Sequence, residues 1–227
     1  MQRTNAVPAE TGDEPPSTAC PYGPELQESW DMRHALFSRW EEGIRYDRVG
    51  LFAAKPEADA LALARTLPGE TVLDAFCGIG TTAIAFARAG KRVVTVELDA
   101  GRLEMARHNA RIYGVEERIR FVHGDSREVI RHADADAVYF DPPWADRDAW
   151  TWERFTLADY VVPPEELIAA TLRRGAHAAL SVPPNFDFAE LHRLPAPQPA
   201  VHPVRYGEEL LYYNVFLSSS GNGNGRS

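Results

Sequence analysis

An α/β fold built on a mostly parallel, doubly wound sheet is what this sequence predicts, on three observations. Short apolar runs alternate with helical stretches from residue 72 onward, glycines punctuate the ends of those stretches, and two apolar-rich runs near the end flank a glycine turn. Strands that alternate with helices return to the sheet parallel to one another, whereas a short turn brings the chain back antiparallel. At 227 residues the chain fits one domain with short attachments.

Taken in order, residues 1–28 hold five prolines and no periodic apolar face, so a disordered or loosely draped tail is expected. The spacing of Trp30, His34 and Phe37, with Leu36 and Trp40 on the neighbouring face, predicts a helix that Gly43 closes. Ile44–Phe52 reads as an irregular connector, and Pro56–Leu67 as an amphipathic helix with Pro at its first position. Residues 29–67 thus form an N-terminal helical segment ahead of a main domain at 68–218. In that domain Val72–Phe76 is a buried strand, followed by a glycine turn and the helix Thr82–Ala89 with Gly90 behind it. Arg92–Leu98 is the second strand, and Leu103, Ala106, Ala110 and Tyr113 mark one face of a helix that Gly114 ends. Ile119–His123, Ala137–Phe140 and Ala178–Val182 are further strands, with helices near Ser126–Arg131 and Glu165–Arg173. Ala200–Tyr206 and Leu210–Leu217 flank Gly207 as an antiparallel hairpin, which brings the sheet to seven strands, and 219–227 is a flexible Gly/Ser/Asn tail.

Composition narrows the partners. The net charge of −9, from 33 acidic and 24 basic residues, disfavours a surface that grips duplex DNA. All but two of the basic residues are Arg; the exceptions are Lys55 and Lys91. No run approaches the ~20 apolar residues that span a bilayer, and no apolar signal core opens the chain. Cys20 and Cys77 lie in unrelated contexts, so a disulfide framework is not expected and a reducing, cytoplasmic setting is. The seven histidines show no metal-ligand spacing and Cys77 has no CxxC partner, so no metal is expected.

The first chemical signal is Val72-Leu-Asp-Ala-Phe-Cys-Gly-Ile-Gly-Thr-Thr-Ala83, in which Gly78, Gly80 and Ala83 give the G-x-G-x-x-G/A spacing of a Rossmann-like strand–turn–helix. Glu97 follows about 20 residues on, where a carboxylate accepts both ribose hydroxyls of a bound nucleoside. Asp74 discriminates among cofactors. A carboxylate there repels a pyrophosphate, whereas the ammonium of S-adenosylmethionine, which carries no phosphate, is favoured beside it. Asp125 ends the third strand, where a carboxylate can accept from the adenine amino group. Asp74, Glu97 and Asp125 therefore form the expected cofactor site with Phe76, Gly78, Gly80, Thr81 and Ser126. The competing role for these acids is helix capping, and for Asp99 the cap is the preferred reading. The expected fold is accordingly that of a class I methyltransferase.

The second signal is Asp141-Pro-Pro-Trp144 at the end of the fourth strand. An amino group conjugated to an aromatic ring is a poor nucleophile, because its lone pair is delocalised. A carboxylate and a proline-fixed carbonyl can accept its two N–H groups and aim that lone pair at a methyl donor. Asp141, Pro142 and Trp144 are the catalytic candidates, with Trp144 offering a face on which a base stacks. The bland alternative is a turn with a capping Asp and a core Trp.

With these residues in hand, the chain resembles the trimethylguanosine synthases, the RNA cap guanine-N2 methyltransferases, from about Trp30 to Leu217. The likeness is carried by Leu36-Phe-Ser-Arg-Trp-Glu-Glu-Gly-Ile-Arg-Tyr-Asp47, by Gly50, Phe52, Pro56 and Glu57, by Asp74-Ala-Phe-Cys-Gly78, by His108-Asn-Ala-Arg-Ile-Tyr-Gly114 and by Pro142-Pro-Trp144. The resemblance implies S-adenosylmethionine as cofactor, methylation of an exocyclic guanine amino group, Trp144 stacked on the base, and Arg45–Phe52 folded over the site as a lid. It also places Asn185 near the substrate and Arg45 near a substrate phosphate. Two departures stand out. The family usually shows Ser where this chain has Asp141, and Gly-Gly-Pro where this chain reads Ala-Asp-Arg-Asp-Ala-Trp after Trp144. The added carboxylates oppose a triphosphate. The expected acceptor is therefore a guanine-type base in RNA, a nucleotide or a small molecule. The competing functions are N-methylation of a small heteroaromatic amine, a DNA adenine methyltransferase for which no target-recognition segment remains, and a non-catalytic cofactor-binding scaffold.

Overall fold

The computed structural model describes residues 18–144 and 148–218; the expectations for residues 1–17, for 145–147 and for the 219–227 tail lie outside the described residues. One sheet contains β1 (Thr71–Asp74), β2 (Arg92–Glu97), β3 (Ile119–His123), β4 (Ala137–Phe140), β5 (His177–Val182), β6 (Ala200–Tyr206) and β7 (Glu209–Leu217). Their order is β3-β2-β1-β4-β5-β7-β6. Strands β1 to β5 pair in parallel, and β7 runs antiparallel to both β5 and β6, as the alternation and the Gly207 turn predict. The chain winds outward from β1 to β3, then restarts beside β1 with β4. That reversal opens a crevice beyond the carboxyl ends of β1 and β4, which is where such sheets bind ligands.

Eight helices are described: α1 (Gln27–Asp31), α2 (Arg33–Leu36), α3 (Arg48–Ala53), α4 (Glu57–Thr66), α5 (Thr81–Arg88), α6 (Ala100–Ile112), α7 (Ser126–His132) and α8 (Glu165–Arg173). The two faces of the sheet follow the period of two along each strand. Val72 and Tyr139 join Leu63, Phe86 and Ala110 in one apolar cluster, which also takes in the N-terminal helices. Leu73 and Val138 join Ile130, Ile168 and Leu172 in the other. Because both faces are covered, β4 is buried at every position.

Three local expectations are corrected. Residues 18–28 are not draped: Pro24–Leu26 forms a 3-10 turn and Leu26 is buried, while the Gln27 side chain accepts from the Cys20 backbone N–H at 2.8 Å and holds the segment down. The helix expected from Trp30 to Trp40 is broken into α1, α2 and a 3-10 turn at Trp40–Glu42, because Phe37 is extended. The bend lets Trp30, Trp40 and Tyr46 pack ring against ring, at 4.8 Å for Trp40 and Tyr46. Finally, the connector at 44–52 contains α3. Its cap is Asp47, whose carboxylate accepts from Gly50 N at 2.6 Å. Gly43, at φ 90°, supplies the left-handed turn that frees the chain to reach it.

Candidate active site

Beyond β1 the chain turns through Gly78 and Gly80, at φ 54° and 96°, into α5. A Cβ on Gly80 would stand 3.0 Å from that of Ala106, so the turn lies against α6; one on Gly78 would meet no protein atom within 4 Å. The open space at Gly78 belongs to a cavity of about 270 Å³, lined among others by Phe76, Gly78, Thr81, Glu97, Asp125 and Ser126. Glu97 ties the end of β2 to the turn. One of its oxygens accepts from Gly78 N at 2.9 Å and the other from Asp99 N at 3.0 Å. Asp99 itself caps α6, as preferred from the sequence. Asp125 does two things: it lines the cavity, and it caps α7 while its carboxylate grips Arg127. The hydrogen bonds from the Arg127 side chain and backbone hold the Asp125 carboxyl below its ordinary range.

Gly80 and Asp74 do not line this cavity. Asp74 stands one layer behind, fully buried, with Oδ2 accepting from Thr82 Oγ1 at 2.8 Å and Thr95 Oγ1 at 3.3 Å. Its Oδ1 is buried without a hydrogen-bond partner. Burial, with the charge of Asp141 adding to it, pushes this carboxyl up to about 7. An unpaired buried acceptor behind an open glycine turn fits a cationic group arriving from the cavity. Leu98 and Val161 at the cavity wall are 72 % and 60 % exposed, an apolar rim suited to an aromatic ring.

A second cavity, of about 410 Å³, opens beyond β4; Phe52, Asp141, Pro142, Trp144 and Tyr212 help to line it. Asp141 follows directly on the buried β4, so the rigid strand end fixes where its side chain emerges. The Pro143 carbonyl accepts from Val161 N at 2.9 Å. Trp144 bridges to Tyr160 and leans on Phe155, their ring centroids 6.1 Å apart. The two cavities meet: Val49, Ala53, Ala54, Asp141 and Pro143 line both. Thus α3 roofs both cavities and Asp141 stands at their junction. The roof is close to the glycine turn, since a Cβ on Gly50 would lie 2.3 Å from Ile79 Cγ2. Buried Asn109 staples it there, donating to the Arg45 and Ile79 carbonyls at 2.9 Å and accepting from Arg45 N at 2.8 Å.

Two expected substrate residues fall elsewhere. Arg45 lines neither cavity, and its backbone serves the Asn109 staple; Arg48, one helical turn on, lines the larger cavity instead. The Arg48 guanidinium is bound to Glu25 and to the Tyr22 carbonyl. Asn185 also lines neither cavity, because its amide donates to the Ala149 and Trp152 carbonyls at 2.8 Å each and holds the loop after Trp144. One residue of the site was missed from sequence. Lys55, 8 % exposed, places its ammonium 3.1 Å from Asp141 Oδ1, 3.1 Å from Ser181 Oγ and 4.1 Å from the Tyr212 ring centre. The sequence shows only that Lys55 and Lys91 are the two lysines in a chain of arginines; that both are buried is seen in the structure. Lys91 Nζ donates to the Leu67 and Gly69 carbonyls.

Comparison with known proteins gives the following. The profile of a family described as RNA cap guanine-N2 methyltransferase matches residues 69–206, and that of a DNA methylase family matches residues 4–108. The trimethylguanosine synthase of Schizosaccharomyces pombe is 31% identical over 186 residues, which cover 76% of this chain and 77% of that protein. An uncharacterized S-adenosylmethionine-dependent methyltransferase of Mycobacterium tuberculosis is 34% identical over 134 residues, 58% of this chain and 34% of that one. Among solved structures, a putative methyltransferase from Porphyromonas gingivalis W83 superposes with a TM-score of 0.66 at 20% identity. That match covers 92% of this chain and 52% of the other, so this chain spans about half of its length.

Proposed function

This chain belongs to the RNA cap guanine-N2 methyltransferase family and is an S-adenosylmethionine-dependent methyltransferase, and from that premise we propose that its acceptor is the exocyclic N2 amino group of a guanine-type base in RNA or a nucleotide. The observation that carries the reading is the meeting of two cavities at Asp141, under one roof helix. Glu97 would hold the ribose of the cofactor, Asp125 its adenine amino group, and the Gly78 turn its methionine end, with Asp74 behind. When bound, S-adenosylmethionine supplies an electrophilic methyl group. The base stacks on Trp144 with its amino group at Asp141. One amino N–H donates to the Asp141 carboxylate and the other to the Pro142 carbonyl, so the nitrogen lone pair faces the cofactor cavity. The amine nitrogen would become positive on taking the methyl group, and the Asp141 carboxylate would offset that charge. The amino proton, acidic once the nitrogen is methylated, would pass to the Asp141 carboxylate that holds it and on to solvent, so no strong base is required.

A second reading, N-methylation of a small heteroaromatic amine, is favoured by the charges around the acceptor cavity. Its two lining cations, Arg48 and Lys55, already pair with Glu25 and Asp141. Glu28 and Glu209 face each other on the same wall, and burial together with the Glu209 carboxylate pushes the Glu28 carboxyl up. Among the described residues, each cation on this wall already has an acidic partner that competes with a phosphate chain. Incubation with methyl-labelled cofactor and separate pools of RNA, nucleotides and free bases decides between the two. Label in RNA or nucleotide guanine supports the first reading, label confined to free bases or small amines the second, and label in neither sinks both.

A further inference from the structure

Lys55 links the end of α3 to α4, so it is the point at which the roof rejoins the core. An ammonium has three N–H groups, and this one meets Asp141 Oδ1, Ser181 Oγ on β5 and the Tyr212 ring face on β7, with the Trp144 ring centre farther off at 6.0 Å. Its backbone N–H also donates to Thr81 Oγ1, at the start of α5, at 3.3 Å. Burying a charge costs several kcal/mol unless it is paired and hydrogen-bonded. The site around Lys55 is therefore built for a cation.

Among the described residues, the other ionisable groups around Asp141 are phenols, carboxyls and one arginine that is already paired. Asp74 lies behind it, and Tyr139, Tyr160 and Tyr212 surround it; burial first, and then the Asp141 charge, pushes all three phenols up. Glu28 and Glu209 share its cavity wall, and the Arg48 guanidinium is bound to Glu25. Among the described residues, Lys55 is the ion-pair partner of Asp141. Without it the carboxylate would stand half-buried among phenols and a second carboxyl.

We propose that Lys55 is a positioning residue for methyl transfer: its ammonium holds the Asp141 carboxylate in one rotamer through Oδ1, leaving Oδ2 to accept from the amine. Because Lys55 terminates the roof, the orienting carboxylate is assembled only when the roof is seated. The inference rests on the reading of Asp141 as the group that orients the amine.

The test compares wild type, Lys55→Met, Lys55→Gln, Asp141→Asn and the double variant Lys55→Met/Asp141→Asn. Lys55→Gln keeps a donor to Ser181 without the charge, and the double variant removes both charges, so a folded neutral site is available even where Lys55→Met does not fold. The first readout needs no acceptor. In protein labelled with ¹³C at aspartate carboxyls, the Asp141 resonance, identified by its loss in Asp141→Asn, should shift and broaden in Lys55→Gln at constant pH, because the carboxylate no longer holds one rotamer. The second is single-turnover transfer at saturating cofactor. Lys55→Gln and Lys55→Met should lower the rate by about 10²-fold. The double variant should lie within about twofold of Asp141→Asn alone. An Asp141 resonance that Lys55→Gln leaves unchanged, or Lys55 and Asp141 effects that multiply in the double variant, overturns the proposal. Failure of the guanine reading looks different: wild type leaves guanine unmethylated while the Asp141 carboxyl resonance still responds to Lys55.

Discussion

The buried carboxyl of Asp74 should make stability fall as pH rises through neutrality. Its environment raises it from 3.8 to about 7, by burial first. The sign follows directly. Between those values the unfolded chain has released this proton and the folded protein has not, so unfolding gains with each pH step. The stabilisation is complete below about pH 4, is lost progressively up to about pH 7, and is level above that. At about 1.4 kcal/mol per pH unit, the gap corresponds to about 4 kcal/mol in all. Asp74→Asn can still accept from Thr82 and Thr95 but cannot ionise. Urea unfolding of both proteins without cofactor, from pH 5 to pH 8, isolates this group. The wild type should lose about 2–3 kcal/mol more than the variant across that range. A ligand ammonium near Asp74 favours the ionised form, so the affinity for S-adenosylmethionine should rise with pH through 7, with proton release seen by calorimetry in two buffers. Parallel stability curves for the two proteins would refute the reasoning.

Three further outcomes are expected. Glu97→Ala leaves the Gly78 and Asp99 N–H groups without their acceptor and should weaken cofactor binding by about 1–3 kcal/mol, which calorimetry measures. Trp144→Ala should weaken acceptor binding by about 1–3 kcal/mol while leaving cofactor affinity unchanged; a loss of cofactor binding in folded protein would place Trp144 in the wrong cavity. Gly50→Ala puts a methyl 2.3 Å from Ile79 Cγ2, so the roof must lift. The expected cost is about 1–3 kcal/mol in thermal stability together with weaker cofactor binding, and unchanged melting and affinity would show that the contact relaxes freely.

The core was legible in the sequence because its signals are local. Apolar Ala137–Phe140 is short and continuous, as a strand buried on both faces is, and Gly90 and Gly114 end their helices where the chain must turn. The glycine turn and Asp141-Pro-Pro-Trp144 were legible for the same reason, as contiguous motifs at strand ends. The N-terminal segment was harder. α3 is six residues long with a glycine in its interior, and it is held by Asp47 and by packing on Ile79 rather than by propensity. Trp30, Phe37 and Trp40 have helical spacing, yet that apolar demand is met by an aromatic cluster around a broken helix. Lys55 was invisible because its partners are distant along the chain; Ser181 lies 126 residues away. Asn185 and Arg45 carry polar groups that the fold itself engages, which no spacing rule reveals.

The most direct measurement of the central claim follows the methyl group to its destination atom. Cofactor carrying a ¹³C methyl is turned over with a guanine acceptor whose exocyclic amino nitrogen is ¹⁵N, and the product is read by NMR. A one-bond ¹³C–¹⁵N coupling, lost in proportion to turnover in Asp141→Asn, is the expected result. A ¹³C methyl on a ring nitrogen or a carbon, or transfer that is indifferent to Asp141, would contradict it.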